Sequence, residues 1–362
     1  MSQSPEEKIA KSGGKFLLGL LVYTFTTGII LAALAFWWAA HSFSTKGPLN
    51  ETKLISIERG MGLNQIASLL ENEGAIDNRY LFIFGTRLMG DASGLKAGEY
   101  QLEAGSSAKE IMIKLTEHDV FGRFVTIREG LTSFEVVRLL NGTENLSGEA
   151  KDLPAEGTLL PNTYSYTLNE DRNAVLIRMA QEMERTVLPL CGILLEASTG
   201  KDLAGMMDDA CNSAPAPLKT VGDVLTLASI IEKETAVPTE RAKVAGVFIN
   251  RLRRNILLQT DPTVIYAING GKHKNEGKGP LGRRLLRKDL KIDSPYNTYK
   301  YPGLPPGPIA NPGEASIKAV FEPAEHDYIY FVADGTGGHA FAKTLAEHNR
   351  NVAQWRKIRR SQ

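Results

Sequence analysis

The chain opens on a single long apolar run and then breaks into short segments of two alternating rhythms. No Asp, Glu, Lys or Arg occurs between Lys15 and Lys46. Residues 16–40 would make about 37 Å of helix, enough to cross a hydrocarbon core of about 30 Å with some tilt. Trp37 and Trp38 fall where an interfacial aromatic belt lies. A signal-peptide core is usually about 7–15 residues, much shorter than this run. Lys8, Lys11 and Lys15 precede it, and such charges are retained on the cytoplasmic side. The pattern predicts a cytoplasmic tail at 1–15, one transmembrane helix at 16–41 and export of the remainder.

Beyond the linker Gly47-Pro48-Leu49-Asn50, residues 53–58 alternate like a strand. Helical spacing follows at 64–71 and at 80–89, the second with Asp77 as a candidate cap. Residues 98–102 read as a strand, and Ser106/Ser107 start a helix containing Ile111, Ile113 and Leu115. This β-α-α-β-α pattern predicts a small unit over 47–120. A larger region over 121–355 begins with an alternating strand at 123–128. It carries helical patterns near 133–140, 173–187, 221–234 and 243–253, with a strand at 328–332. No repeat of 20–50 residues occurs, and helices and strands do not alternate regularly, so the class predicted is α+β.

Composition narrows the function. With 42 Lys+Arg against 41 Asp+Glu over 362 residues the net charge is +1, which gives no field for bulk attraction to nucleic acid. Nucleic acid is therefore not an expected partner. The only cysteines, Cys191 and Cys211, exclude a disulfide-dense scaffold and a four-thiolate zinc site. In an exported region a bridge clipping a surface excursion is favoured over two free buried thiols, although spacing alone does not decide it. No P-loop, G-x-S-x-G elbow, H-E-x-x-H helix or paired C-x-x-C motif is present. The six histidines are scattered, so no metal is expected. Gly335-Thr336-Gly337-Gly338 reads as a turn, and the basic run from Arg283 to Lys291 as a solvated helix face.

The most informative segment is ASIIEKET at 228–235. Its first half is apolar, as in a core helix, yet two carboxylates stand at its C-terminal end. The helix macrodipole disfavours negative charge there, and apolar neighbours raise a carboxyl pKa further, the condition for a general acid near neutral pH. Solvated or ion-paired glutamates are the plainer alternative. Glu232 and Glu234 point about 200° apart on a helix, so they do not flank one bond as the acid pair of a retaining glycosidase must. One glutamate would act largely alone. Downstream, QTDPTVIY (259–266), the stretch 294–299 and GLPPGPI (303–309) place Gln, Thr, Asn and Tyr in Pro/Gly-rich loops. These offer a sugar hydroxyl partners and stacking faces, though ordered turns would look the same.

These blocks, with EGTLLPNTY (156–164), VFINRL (247–252), YNTY (296–299) and YFVADG (330–335), resemble the YceG-like family in order and spacing. The resemblance covers roughly 124–352. It implies a lytic transglycosylase that acts on peptidoglycan glycan strands and leaves 1,6-anhydroMurNAc ends, without a cofactor. It further implies a single-pass anchor in the cell inner membrane, a small LysM-like β-α-α-β unit and a periplasmic α+β transglycosylase domain. The family's catalytic glutamate matches Glu234, and Glu234-Thr235 is similar to the Glu-Ser signature of other lytic transglycosylases. Gln259, Asp261, Tyr296, Asn297 and Tyr299 are candidate glycan-positioning residues, with Glu232 in support. Peptidoglycan synthases are candidate partners through membrane location alone. A non-catalytic glycan-binding scaffold and a water-using muramidase are the alternative readings. The excursion between Cys191 and Cys211 resembles no motif of the family.

Overall fold

The computed structural model describes residues 5–58, 60–89, 94–195, 202–273 and 279–361, with side chains from 21 to 360. It is a mixed helix and strand structure of two compact units, 1–122 and 123–362.

In the first unit the apolar run lies in α1 (Pro5–Ser44). This helix is longer than predicted at both ends, because Glu6, Lys8, Ala10 and Lys11 are good helix formers and end the apolar pattern without ending the helix. Leu21–Ser44 is apolar enough to cross a membrane, with a mean hydropathy of 1.7. From 21 to 38 its side chains are almost all exposed. Next come β1 (Lys53–Ile57), α2 (Leu63–Asn72), α3 (Arg79–Leu88), β2 (Gly98–Leu102) and α4 (Ala108–Glu117). β1 and β2 pair antiparallel with Ile55 opposite Tyr100. Alternation puts Ile55 and Ile57 inward, where they meet Ile66, Leu70, Phe82 and Leu115 in one core. The cap of α3 is Asn78, one residue after the predicted Asp77; its side chain accepts from the Tyr80 and Leu81 N–H groups.

The second unit runs β3 (Arg123–Thr126), α5 (Ser133–Asn141), β4 (Leu146–Ser147), β5 (Thr163–Tyr166), β6 (Glu170–Asp171) and α6 (Arg172–Leu190). It continues through α7 (Val221–Glu234), α8 (Arg241–Arg253), α9 (Asp261–Asn269) and α10 (Glu314–Phe321). The hairpin β7 (Tyr330–Ala333) and β8 (His339–Ala342) and the helix α11 (Leu345–Ser361) complete it. Every position from Val224 to Ile231 in α7 is buried, as expected for a helix apolar on all faces. α8, α9 and α10 pack around it. Thr220 caps its start in a reciprocal pair with Asp223, and at Thr235 the backbone turns extended.

Two local readings are corrected. QTDPTVIY is not a loop: Pro262 stands in the first turn of α9, where its missing N–H costs nothing and its fixed φ suits the helix. The basic run is not a helix face; it lies in turns with one short 3-10 stretch at Asp289–Lys291, and Arg283 holds Asp289 at 2.6 Å. Cys191 and Cys211 are bonded. Both are buried among Val187, Leu188, Val221 and Leu225, so the bridge belongs to the core against α7 rather than to a surface excursion.

A bridge closing a loop of this size stabilises by about 3 kcal/mol, chiefly by restricting the unfolded chain. Replacing both residues, Cys191→Ala with Cys211→Ala, is expected to lower the unfolding free energy by that amount. Denaturant titration of the oxidised protein and the double variant checks it, and an unchanged midpoint is the contrary result.

Candidate active site

Because α7 is buried along its length, its last residue is carried to the edge of the core. There Glu234 opens onto a cleft of about 390 Å³ lined by Arg251, Gln259, Thr260, Asp261, Tyr299 and His339, with Phe248 and Phe331 among its apolar walls. The buried Thr260 donates its hydroxyl to Glu234 Oε1. Burial pushes the Glu234 carboxyl above its ordinary range, and the negative charge of Asp261 adds to this; the Thr260 hydroxyl, His339 and Arg251 pull the other way.

The Thr260 hydroxyl is itself held in place. The Thr260 N–H donates to Thr298 Oγ1 at 3.1 Å, and Thr298 and Thr263 share a hydroxyl contact of 2.8 Å. The Gln259 N–H donates to the Thr298 carbonyl at 3.1 Å. Gln259 adopts φ +51, a left-handed conformation uncommon for a residue with a side chain, and its side chain is exposed. The Tyr299 hydroxyl donates to Asp261 Oδ1 at 2.7 Å, and burial, then this bond, raises its pKa. On the opposite wall His339 Nδ1 meets Glu240 Oε2 at 2.7 Å while the His339 N–H donates to Glu240 Oε1 at 2.9 Å. The Arg251 guanidinium, buried in α8, donates to the carbonyls of Ile329 (2.6 Å) and Leu258 (2.7 Å), tying the β7 wall to the segment that presents Thr260.

Of the residues singled out from the sequence, Glu234, Gln259, Asp261 and Tyr299 line one cleft; Glu232, Asn297 and Tyr296 do not. Glu232 points away, as the 200° separation requires. It accepts from the Gly313 N–H (3.0 Å) and Ser316 hydroxyl (2.7 Å) at the start of α10 and lies 3.6 Å from Arg241. Asn297 is fully buried. Its amide nitrogen donates to the carbonyls of Leu290 and Ile292, and its oxygen accepts from the Tyr299 N–H at 3.0 Å. It shapes the loop presenting Thr298 and Tyr299 and has no free face for a ligand. Tyr296 packs on Tyr266, with ring centroids 4.9 Å apart. Residues not anticipated are Thr260 as the partner of Glu234, Arg251, Phe331 and His339. Arg251 was detectable as the one charge within the Val244, Val247, Phe248, Leu252 stripe; His339 carried no signal.

A second acid sits apart from the cleft. Glu156, beside Tyr266, accepts from the Ser133 N–H (2.8 Å) and the Asn311 amide (3.3 Å). Burial drives its carboxyl up to about 7, against the opposing Ser133 bonds. Nearby, His273 Nδ1 lies 3.2 Å from Glu135, and Lys233 donates to the Gly130 carbonyl at 3.0 Å.

Known proteins resemble this chain across both units. The YceG-like family matches residues 55–354. The endolytic murein transglycosylase of Bacillus subtilis (strain 168) is 34% identical over 308 residues, covering 82% of this chain and 82% of that protein. The endolytic murein transglycosylase of Streptococcus pneumoniae serotype 2 (strain D39 / NCTC 7466) is 28% identical over 348 residues, covering 83% of this chain and 58% of that longer protein. The YceG-like protein lmo1499 of Listeria monocytogenes, in a 2.6 Å crystal structure, is 29% identical, with 83% of this chain and 98% of that one covered at a TM-score of 0.47.

Glu156 gives a stability prediction. Its folded pKa of about 7 lies above the ordinary 4.5, so its contribution is fully present below about pH 4.5 and is lost as pH rises through about 7. Glu156→Gln should remove up to about 3 kcal/mol of the stability decline over that window. Denaturant midpoints measured across the window check this, and parallel profiles for the two proteins would contradict it.

Proposed function

The chain belongs to the YceG-like family, and from that premise we infer that it is a lytic transglycosylase cutting within murein glycan strands, the activity named for its relatives. The observation that carries the reading is Glu234: a carboxyl with raised pKa at the end of a buried helix, opening on a cleft. We assign it both proton transfers. As the acid, Glu234 donates its proton to the glycosidic oxygen between MurNAc and GlcNAc while the C1–O bond breaks and positive charge develops at C1. As the resulting carboxylate it takes the proton of the MurNAc C6 hydroxyl, whose oxygen forms the new bond to C1. The 1,6-anhydro ring closes, Glu234 is protonated again, and no water is consumed. Because the nucleophile belongs to the sugar, its effective concentration replaces a second protein carboxylate.

Asp261, Tyr299 and the exposed Gln259 side chain are the groups we place against the glycan, with His339 and Phe331 on the far wall. Asn297, Thr298 and Arg251 are positioning residues. Around this chemistry we read α1 as the single-pass anchor in the inner membrane, with its lysine-bearing start in the cytoplasm and the rest in the periplasm. The uncharged run, the exposed side chains from 21 to 38 and the Cys191–Cys211 bridge support that reading. The β1–α4 unit is LysM-like in its order of elements and is the part we expect to contact glycan beyond the cleft.

Two predictions test the assignment. Glu234→Gln should reduce cleavage by roughly 10²–10⁴-fold, the usual share of one general acid–base group. Mass spectrometry of digested peptidoglycan should then show anhydro-muramyl ends with the unmodified protein alone. Reducing ends would make it a water-using muramidase, and no new ends with either protein would make it a glycan-binding scaffold. The second concerns pH. Glu234 must be protonated to donate, so kcat/KM falls as pH rises through its pKa. Asp261→Asn removes a negative charge that holds that pKa up, so the alkaline limb should move to lower pH. An unmoved limb would remove Asp261 from the tuning of the acid.

A further inference from the structure

The small unit presents an apolar face that its own core does not use. On α3, Phe84 (47% exposed) and Leu88 (57%), with Met89 (46%) at its C-cap, point outward, while Phe82, on another side of the same helix, is buried in the core. Large exposed apolar side chains clustered in this way mark an interaction surface. Their position is set by α1. Phe43, near the end of α1, is buried against Phe82 with ring centroids 6.4 Å apart. It also lies directly over Gly85, where a Cβ would come within 2.6 Å of the ring. A larger residue at 85 would therefore push α3 off α1. Between the two helices runs a groove of about 180 Å³ with Ala39, Ala40 and Phe43 on one side and Phe84, Leu88 and Met89 on the other. Lys109, at the start of α4, stands at its rim.

The level of this groove along α1 identifies what fills it. The apolar run is long enough to cross one hydrocarbon thickness and closes near Trp37 and Trp38, residues suited to the interface. Ala39 and Ala40 follow directly, so the groove lies within about one helical turn of the aromatic belt, at the acyl–headgroup boundary. Interfacial helices bury their apolar faces to about 5–10 Å at this boundary. A lysine at the rim has the reach and charge to meet a lipid phosphate while its stem lies along apolar surface.

We propose that the end of α1, the outer face of α3 and Lys109 form one lipid-binding surface. The α1/α3 groove takes the upper acyl chain of an outer-leaflet phospholipid, Phe84, Leu88 and Met89 enter the interfacial layer, and the β1–α4 unit is seated on the membrane. The occupant is bilayer lipid. The inference rests on the reading of α1 as a membrane-spanning helix. It adds that the first unit is fixed to the bilayer surface by α3 as well as by the anchor.

The test uses the full chain in nanodiscs of phosphatidylethanolamine and phosphatidylglycerol loaded with one copy per disc. Single nitroxide labels are placed through Phe84→Cys, Leu88→Cys, Ile30→Cys and Leu54→Cys, and relaxation by oxygen is compared with relaxation by a water-soluble nickel chelate. The lipid-facing reading expects oxygen to dominate several-fold at 84, 88 and 30, and the chelate to dominate at 54, which is exposed on β1. Chelate-dominated relaxation at 84 and 88 with oxygen still dominant at 30 would overturn the lipid surface while leaving the anchor standing. Chelate dominance at 30 would overturn the anchor and this inference with it. Protection of 84 and 88 that appears only in discs holding two copies would assign the face to a second copy of this chain and overturn the lipid assignment.

Discussion

A carboxyl group at the C-terminal end of a helix with no exposed middle is the constraint around which the second unit is arranged. α7 has apolar residues on every face from Val224 to Ile231, so it must be enclosed, and α8, α9 and α10 enclose it. Enclosure carries Glu234 to the rim of the core, where both the macrodipole and the loss of water oppose its charge. The same helix disposes of its other terminal glutamate differently. Glu232 faces the start of α10, where it accepts from the Gly313 N–H and the Ser316 hydroxyl, and Arg241 stands beside it. Two acids of identical type, two residues apart, are thereby given different surroundings by the face of the helix they occupy.

The surroundings of Glu234 are arranged in two layers. Thr260, Asp261 and Tyr299 reach the carboxyl or the cleft. Behind them Asn297 and Arg251 donate to backbone carbonyls, while Thr298 accepts from the Thr260 N–H and shares a hydroxyl contact with Thr263. This second layer fixes where the Thr260 hydroxyl points. A buried, fully satisfied polar network holds a geometry more rigidly than exposed pairs do. The cost of burying Asn297 is offset because its amide nitrogen and its oxygen both find backbone partners.

Much of this was legible in the sequence, for identifiable reasons. The bounds of α7 followed from an apolar run closed by two charges, and the separation of Glu232 from Glu234 followed from helix geometry alone. α9 was obscured because Pro262 marks loops and first helical turns equally well, and only the chain before and after it distinguishes the two. Asn297 was read as a glycan contact because its amide suits one. Its burial depends on carbonyls five and seven residues upstream being folded over it, which no spacing reveals. The Thr260–Thr298 contact joins residues 38 apart in sequence, and His339 enters the cleft only because the β7–β8 hairpin folds back.

The environment of Glu234 also bears on why one carboxyl suffices. A group that donates a proton and then recovers one must be tolerable in both states within a single turnover. Burial and Asp261 favour the neutral acid, whereas the Thr260 hydroxyl, Arg251 and His339 favour the anion. Neither set acts unopposed. Phe248, Leu258 and Phe331 add apolar wall to the cleft, and the protein's own donors, the Thr260 hydroxyl first, meet the carboxyl when it is charged. A preorganised hydroxyl needs no rearrangement when the charge appears. The arrangement suits a reaction in which the proton returns from the substrate itself, because the carboxylate then has to persist only until the C6 hydroxyl closes the ring.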